Sequence, residues 1–225
     1  MVSRPTCVVF DVNETLFGLD ALGDAFEAAG LPGSALDLWF ARTLADGFAL
    51  AATGDFATFG ELGRYHLRRI LRSFALDHGD EQVEEIIGAL RELEPYQDVE
   101  PALRRLHRQG VRAVTLTNGD AGITRELLAT HQLDELVERC FGVEQVAAWK
   151  PREAPYALVA DQLGLPPDRL AMVAVHSWDV HGAKRAGLTT AWVSRLEGQA
   201  VPQMIGADVT GRSLVEVVDG LLALD

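Results

Sequence analysis

Short apolar runs recur along the chain and are separated by longer stretches with helical spacing. The first, Cys7-Val8-Val9-Phe10, is partly β-branched and continuous, the pattern of a parallel strand covered on both faces by helices. Similar runs follow at residues 111–116, 170–175 and 189–193, with a weaker one at 207–209. Helical periodicity fills the intervals 99–109, 123–131, 156–163, 180–186 and 214–224. This alternation predicts an α/β fold, a doubly wound parallel sheet whose ligands collect beyond the carboxyl ends of the strands.

Residues 19–94 break the rhythm. They are helical in pattern, with Gly and Pro punctuation at Gly30-Leu31-Pro32-Gly33 and at Thr53-Gly54-Asp55. The expected organisation is therefore a core domain of residues 1–18 and 95–225, with residues 19–94 inserted as a helical cap subdomain. Such a cap would hang over the strand ends and exclude water on closing.

The 225 residues suffice for a sizeable core, with 48% hydrophobic and 24% charged residues, as in ordinary globular chains. Thirty-three acidic residues against twenty Lys and Arg give a net charge of −13, which disfavours nucleic acid and anionic lipid as partners. A small anionic substrate in a local basic pocket is still compatible. Cys7 and Cys140 have no metal-ligand spacing and make no disulfide framework, and the apolar run near the N-terminus is too short for a signal peptide or membrane span. Cytoplasm is the default location.

Four segments place polar residues at or just beyond these runs or in the connecting loops: Asp11-Val12-Asn13-Glu14-Thr15, Thr117-Asn118-Gly119-Asp120, Lys150-Pro151 and His176-Ser177-Trp178-Asp179. Each alone has a plain explanation, since Asp, Asn and Thr cap helices and Lys is usually solvated. Four together at carboxyl-end positions are hard to attribute to capping.

In order, spacing and residue type these segments resemble the haloacid dehalogenase superfamily over essentially the whole chain, and within it the type II 2-haloacid dehalogenases. The resemblance implies a Rossmann-like core and a nucleophile at Asp11 that attacks C2 of a short 2-haloalkanoic acid. The resulting aspartyl ester is then hydrolysed to the 2-hydroxy acid. It also implies Lys150 beside Asp11, carboxylate-holding roles for Thr15, Thr117 and Asn118, and Asp179 orienting Lys150 or the hydrolytic water, with His176 close by. Val12, Asn13, Trp39, Arg42 and Trp178 are the expected substrate-side residues. A homodimer is the family expectation.

Two features bear on the chemistry. Superfamily phosphatases carry a second Asp two residues after the nucleophile, which protonates the leaving alcohol, whereas Asn13 stands here and an amide cannot do so. A halide leaves without a proton. Mg²⁺ prefers several oxygen ligands, and Asp11 and Asp179 offer few, so neither metal nor other cofactor is expected.

Departures leave alternatives open. The Arg that receives the halide in family enzymes follows the Trp matching Trp39, but here Phe40 does. Arg42, one turn on, either takes that role or is a solvated helix charge. Ala174 and His176 replace the usual Ser and Asn, and His176 is either a general base or a structural partner of Asp179. Trp39, Phe40, Phe48, Phe56 and Phe59 suit cap packing, while Trp149 and Trp178 suit either packing or a pocket wall. Glu14 and Asp120 read as loop or capping residues. The alternative functions are a Mg-dependent phosphatase of a small ester and a catalytically weak binding or regulatory protein.

Overall fold

The structure is a computed structural model that describes residues 3–76 and 79–225. Residues 1 and 2 of the expected core and residues 77 and 78 of the expected cap lie outside the described residues.

Among the described residues a six-stranded parallel sheet forms the centre, in the order β3-β2-β1-β4-β5-β6. Its strands are β1 (Cys7–Phe10), β2 (Arg112–Thr117), β3 (Arg139–Gly142), β4 (Leu170–Ala174), β5 (Thr189–Val193) and β6 (Val209–Gly211). β1 is wholly buried, and its side chains alternate between two cores. Val8 and Phe10 face one, and Cys7 and Val9 the other. The helices that cover the faces are α5 (Val99–Arg108), α6 (Ala121–Thr130), α7 (Glu153–Leu163), α8 (Ser177–Arg185) and α9 (Leu214–Leu222).

Four helices, α1 (Asp20–Ala28), α2 (Ser34–Thr53), α3 (Phe59–Ser73) and α4 (Asp80–Gly88), occupy the interval between β1 and α5. The α3 start is a capping box, with Thr58 and Glu61 satisfying each other's backbone N–H groups. The chain enters and leaves this helical group through two adjacent segments. Gly18 N–H donates to the Glu94 carbonyl at 3.1 Å and Tyr96 N–H to the Leu16 carbonyl at 2.9 Å. No helix among the described residues is long and apolar enough to cross a membrane.

Strand order reverses at β1, since β2 and β3 run out on one side and β4, β5 and β6 on the other. A parallel sheet opens a crevice at such a point, beyond its carboxyl ends. Asp11 follows β1 there.

Several elements differ from the sequence pattern, α7 for instance starting at Glu153 rather than 156. β3 carries no apolar run, because its Arg139 is exposed and only Phe141 and Gly142 are buried at this sheet edge. α8 starts at Ser177 rather than Val180, its first turn carrying site residues instead of an apolar stripe. β6 begins at Val209, two residues later than the weak run.

Candidate active site

The turn after β1 is tight: Thr15, Leu16 and Phe17 N–H groups all converge on the Val12 carbonyl, and Glu14 sits at φ 63°. Four residues after Asp11, Thr15 thereby comes back to it. Its hydroxyl donates to Asp11 Oδ2 at 2.8 Å and accepts from Val175 N–H at 3.1 Å, tying the turn to the end of β4.

Lys150 is completely buried, yet its ammonium has three acceptors. It donates to Asp11 Oδ1 at 2.8 Å, to the Leu116 carbonyl at 2.8 Å and to Asp179 Oδ2 at 2.6 Å. An ammonium has three protons, so this one is fully satisfied, the condition for keeping a charge out of water. Asn118 fixes the lysine's backbone. Its Oδ1 accepts from Lys150 N–H at 2.8 Å and its Nδ2 donates to the Lys150 carbonyl at 3.3 Å. Asp179 Oδ1 accepts from the Tyr156 hydroxyl at 2.6 Å, so both its oxygens are engaged.

His176 completes the cluster from the α8 side. Nδ1 lies 3.2 Å from Asp11 Oδ2 and Nε2 lies 3.0 Å from Glu14 Oε2. The ring stacks on Trp178 at 5.2 Å between centroids and lies 6.2 Å from Phe40 on α2. Trp178 in turn places its face 5.7 Å from the Lys150 ammonium and meets Phe48 edge-on.

The charges follow from this packing. Burial pushes the Asp11 carboxyl up, but Lys150 and the bonded His176 outweigh it and hold the acid well below the usual carboxylate range. Burial lowers the pKa of the His176 imidazolium, and its bonds to the Asp11 and Glu14 carboxylates reverse that, raising it to about 10. Lys150 is likewise raised by its two carboxylates against burial. Burial lifts Asp179, only partly offset by Lys150. At neutral pH the site therefore holds an ionised Asp11 between two cations. His176 starts as an imidazolium, not the neutral ring a general base requires.

Asp11, Thr15, Lys150, His176 and Asp179 are brought together, with Asn118 one bond behind Lys150. Thr117 is buried at the end of β2, where its hydroxyl accepts from Gly119 N–H at 2.8 Å. Thr117, Val12, Asn13 and Asn118 line a cavity of about 220 Å³. Trp178 contacts the cluster through His176 and Lys150.

Trp39 and Arg42 are not brought there. Trp39 is fully buried among the inserted helices, its indole N–H donating to the Gly63 carbonyl at 2.7 Å and its ring meeting Phe26 and Phe59 edge-on. Arg42 is two residues from Phe40, about 200° around α2. Among the described residues it makes no hydrogen bond or ion pair and does not line the cavity.

Glu14 and Tyr156 join the site although the sequence reading assigned them only loop and helix positions. Glu14 carries no local signal, since its partner lies 162 residues away. Tyr156 is the polar exception on a helix face that is otherwise apolar.

A divalent cation would need oxygen ligands around Asp11. Oδ1 of Asp11 and Oδ2 of Asp179 already accept from the single Lys150 ammonium, and Asn13 offers an amide in place of a carboxylate. Among the described residues no three His, Cys, Asp or Glu side chains converge as a metal-holding group. The donor set does not fit Mg²⁺.

Comparison with known proteins agrees with this geometry. A family model described as haloacid dehalogenase-like hydrolase matches residues 5–187. The chain is 29% identical over 219 residues to the (S)-2-haloacid dehalogenase H-109 of Pseudomonas putida, covering 96% of this chain and 97% of that one. It is also 29% identical over 197 residues to the (S)-2-haloacid dehalogenase of Xanthobacter autotrophicus, covering 86% and 77%. In fold it matches the L-2-haloacid dehalogenase of Xanthobacter autotrophicus solved with chloropropionic acid covalently bound. That match has a TM-score of 0.90 and 23% identity, over 98% of this chain and 100% of that structure.

Proposed function

Since the chain belongs to the haloacid dehalogenase-like hydrolase family, we propose that it hydrolyses 2-haloalkanoic acids to 2-hydroxy acids through an ester on Asp11, without a metal. The observation that carries this reading is the Lys150 ammonium shared between Asp11 and Asp179. It keeps the nucleophile ionised and takes up one oxygen of each of the two buried carboxylates.

In the first step an Asp11 oxygen attacks C2, the C2–halogen bond breaks, and the halide leaves with the bonding pair. No proton is needed. Thr15 and Lys150 hold the carboxylate so that little reorientation precedes attack.

In the second step water adds to the carboxyl carbon of the Asp11 ester. Esterification removes the negative charge that helped to hold the His176 proton. The imidazolium then gives that proton to solvent, the one proton the overall reaction releases. The neutral ring takes a proton from the attacking water, with Glu14 keeping its orientation through Nε2. Lys150 stabilises negative charge on the ester oxygen it holds. The alkoxide leaves with the proton that His176 has taken up. The Asp11 acid returns its own to the ring, restoring the ion pair. Asp179, with Tyr156 behind it, serves to position Lys150. The helical group α1 to α4 acts as the cap over this site, with Phe40 and Phe48 as its inward face.

The test is halide release from L-2-chloropropionate in EDTA. Release by the native protein and its loss in Asp11→Asn support the reading. Silence toward haloacids together with magnesium-dependent phosphate release from an aryl phosphate overturns it.

A further inference from the structure

The cavity lined by the loop after Asp11 is larger than the smallest haloacids require. Its lining includes Val12 and Asn13, the two residues following the nucleophile, and Asn118, which is tied to Lys150. It runs between the core and the inserted helices. Phe59 of α3 and Ile87 of α4 stand on one side, Ile123 and Leu127 of α6 on the other. Phe59, Ile87 and Leu127 are buried, so this wall is built into the fold rather than formed by a surface loop.

Arg64 and Arg91 also line the cavity, but each already has a carboxylate. Arg64 is held by Glu84 through two bonds of 2.6 and 2.7 Å, and Arg91 is paired with Glu126. Neither presents a free charge for a second anionic group. Asp120 and Glu144 also line the cavity, so the stretch suited to apolar chain is the one between Phe59, Ile87, Ile123 and Leu127.

Size indicates how much chain. A dry cavity of roughly 150 Å³ accommodates benzene, with its six heavy atoms. By that standard a cavity of about 220 Å³ accommodates roughly nine. The reacting part of a 2-haloacid, halogen, C2 and carboxylate, uses five.

We propose that the preferred substrates are 2-haloalkanoic acids with an unbranched side chain of about four carbons, held between Phe59, Ile87, Ile123 and Leu127. This inference rests on the dehalogenation reading above and adds its substrate class. Each methylene moved from water into such a wall improves kcat/KM about fourfold. Lengthening the side chain from one carbon to four therefore gives a gain on the order of 60-fold. A side chain of eight carbons exceeds the space and loses the gain.

The experiment measures bromide release by the native protein in EDTA from 2-bromopropionate, 2-bromohexanoate and 2-bromodecanoate, with kcat/KM for each. An optimum at the six-carbon acid supports the proposal. An optimum at bromopropionate, or a flat series, overturns it and leaves the dehalogenation reading standing. Silence across the series overturns both. Leu127→Trp, which fills the side wall, is expected to move the optimum toward the shorter acid. Should that variant fail to fold, the native series decides alone.

Discussion

Lys150 Nζ lies 2.8 Å from Asp11 Oδ1, a contact between residues 139 positions apart in which neither side chain has more than 6% of its surface in solvent. A buried pair of this kind is unforgiving of the loss of one partner. In Lys150→Met, Asp11 and Asp179 face each other without their shared cation. Asp179, already lifted by burial, takes up a proton, and Asp11 is left with His176 as the cation that holds it ionised and oriented. Unfolding free energy from denaturant titration is expected to fall by about 3–5 kcal/mol. Halide release is expected to fall steeply at neutral pH, because Lys150 no longer positions the Asp11 carboxylate or stabilises charge on its ester. Full activity of the variant at pH 7 would refute the role given to Lys150.

The His176 bonds give a second, opposite signature. Its pKa is raised from 6.5 to about 10 in the folded protein. The stability it contributes is therefore fully present below about pH 6.5 and is lost as pH climbs toward 10. Asp11, lowered instead, contributes stability above the ordinary carboxylate range and loses it on acidification. His176→Asn is expected to flatten the alkaline limb of stability against pH and to weaken the acid limb less, since Lys150 still lowers Asp11. It should also slow turnover roughly 10²-fold or more. In both His176→Asn and Glu14→Gln the ester outlives its formation, so intact-mass measurement after mixing with 2-chloropropionate should show the substrate residue on the chain. Slow turnover without that adduct would place the defect in the first step.

Much of this arrangement is written locally. The central strands β1, β4 and β5 are buried on both faces and so appear as continuous apolar runs, and Asp11, Lys150 and Asp179 lie within recognisable segments. What the sequence conceals is pairing across distance. Glu14 resembles any loop acid until the fold brings it 3.0 Å from His176. Asn118 gives no sign in sequence that its amide brackets the Lys150 backbone. The edge strand β3 escapes because a strand with one exposed flank needs no apolar run. Trp39 shows the converse: an aromatic at a suggestive position whose indole N–H is spent on Gly63 inside the helical group.

Gly47 on α2 tests how closely the helical group must approach the sheet domain. A Cβ there would fall 2.5 Å from the Trp149 ring. Trp149 cannot yield easily, being fully buried with its indole N–H donating to the Ala57 carbonyl at 2.8 Å. In Gly47→Ala the helix gains about 1 kcal/mol of intrinsic propensity. Overpacking against a fixed ring costs about 1–3 kcal/mol. The steric cost prevails, so a lower melting temperature is expected. Because Trp149 immediately precedes Lys150, a fall in kcat is expected with it. A stabilised, fully active variant would show that α2 does not press on this ring.

Arg42 is the residue on which the sequence pattern and the folded geometry part most clearly. Its spacing from Trp39 puts the two on roughly one side of α2, and that side turns into the helical group, where Trp39 is sealed. Phe40, about 200° away from Arg42, faces His176 instead. An unpaired, half-exposed guanidinium on the far side of a helix cannot receive a halide leaving C2 beside Asp11. Arg42→Gln is therefore expected to keep kcat/KM for 2-chloropropionate within about twofold and stability within about 0.5 kcal/mol, as for a surface change. Phe40→Ala, which uncovers the His176 ring, is expected to lower turnover by more than that. If Arg42→Gln instead abolishes halide release while the protein stays folded, the guanidinium must swing to the site during turnover, and the static position of α2 would misstate the catalytic one.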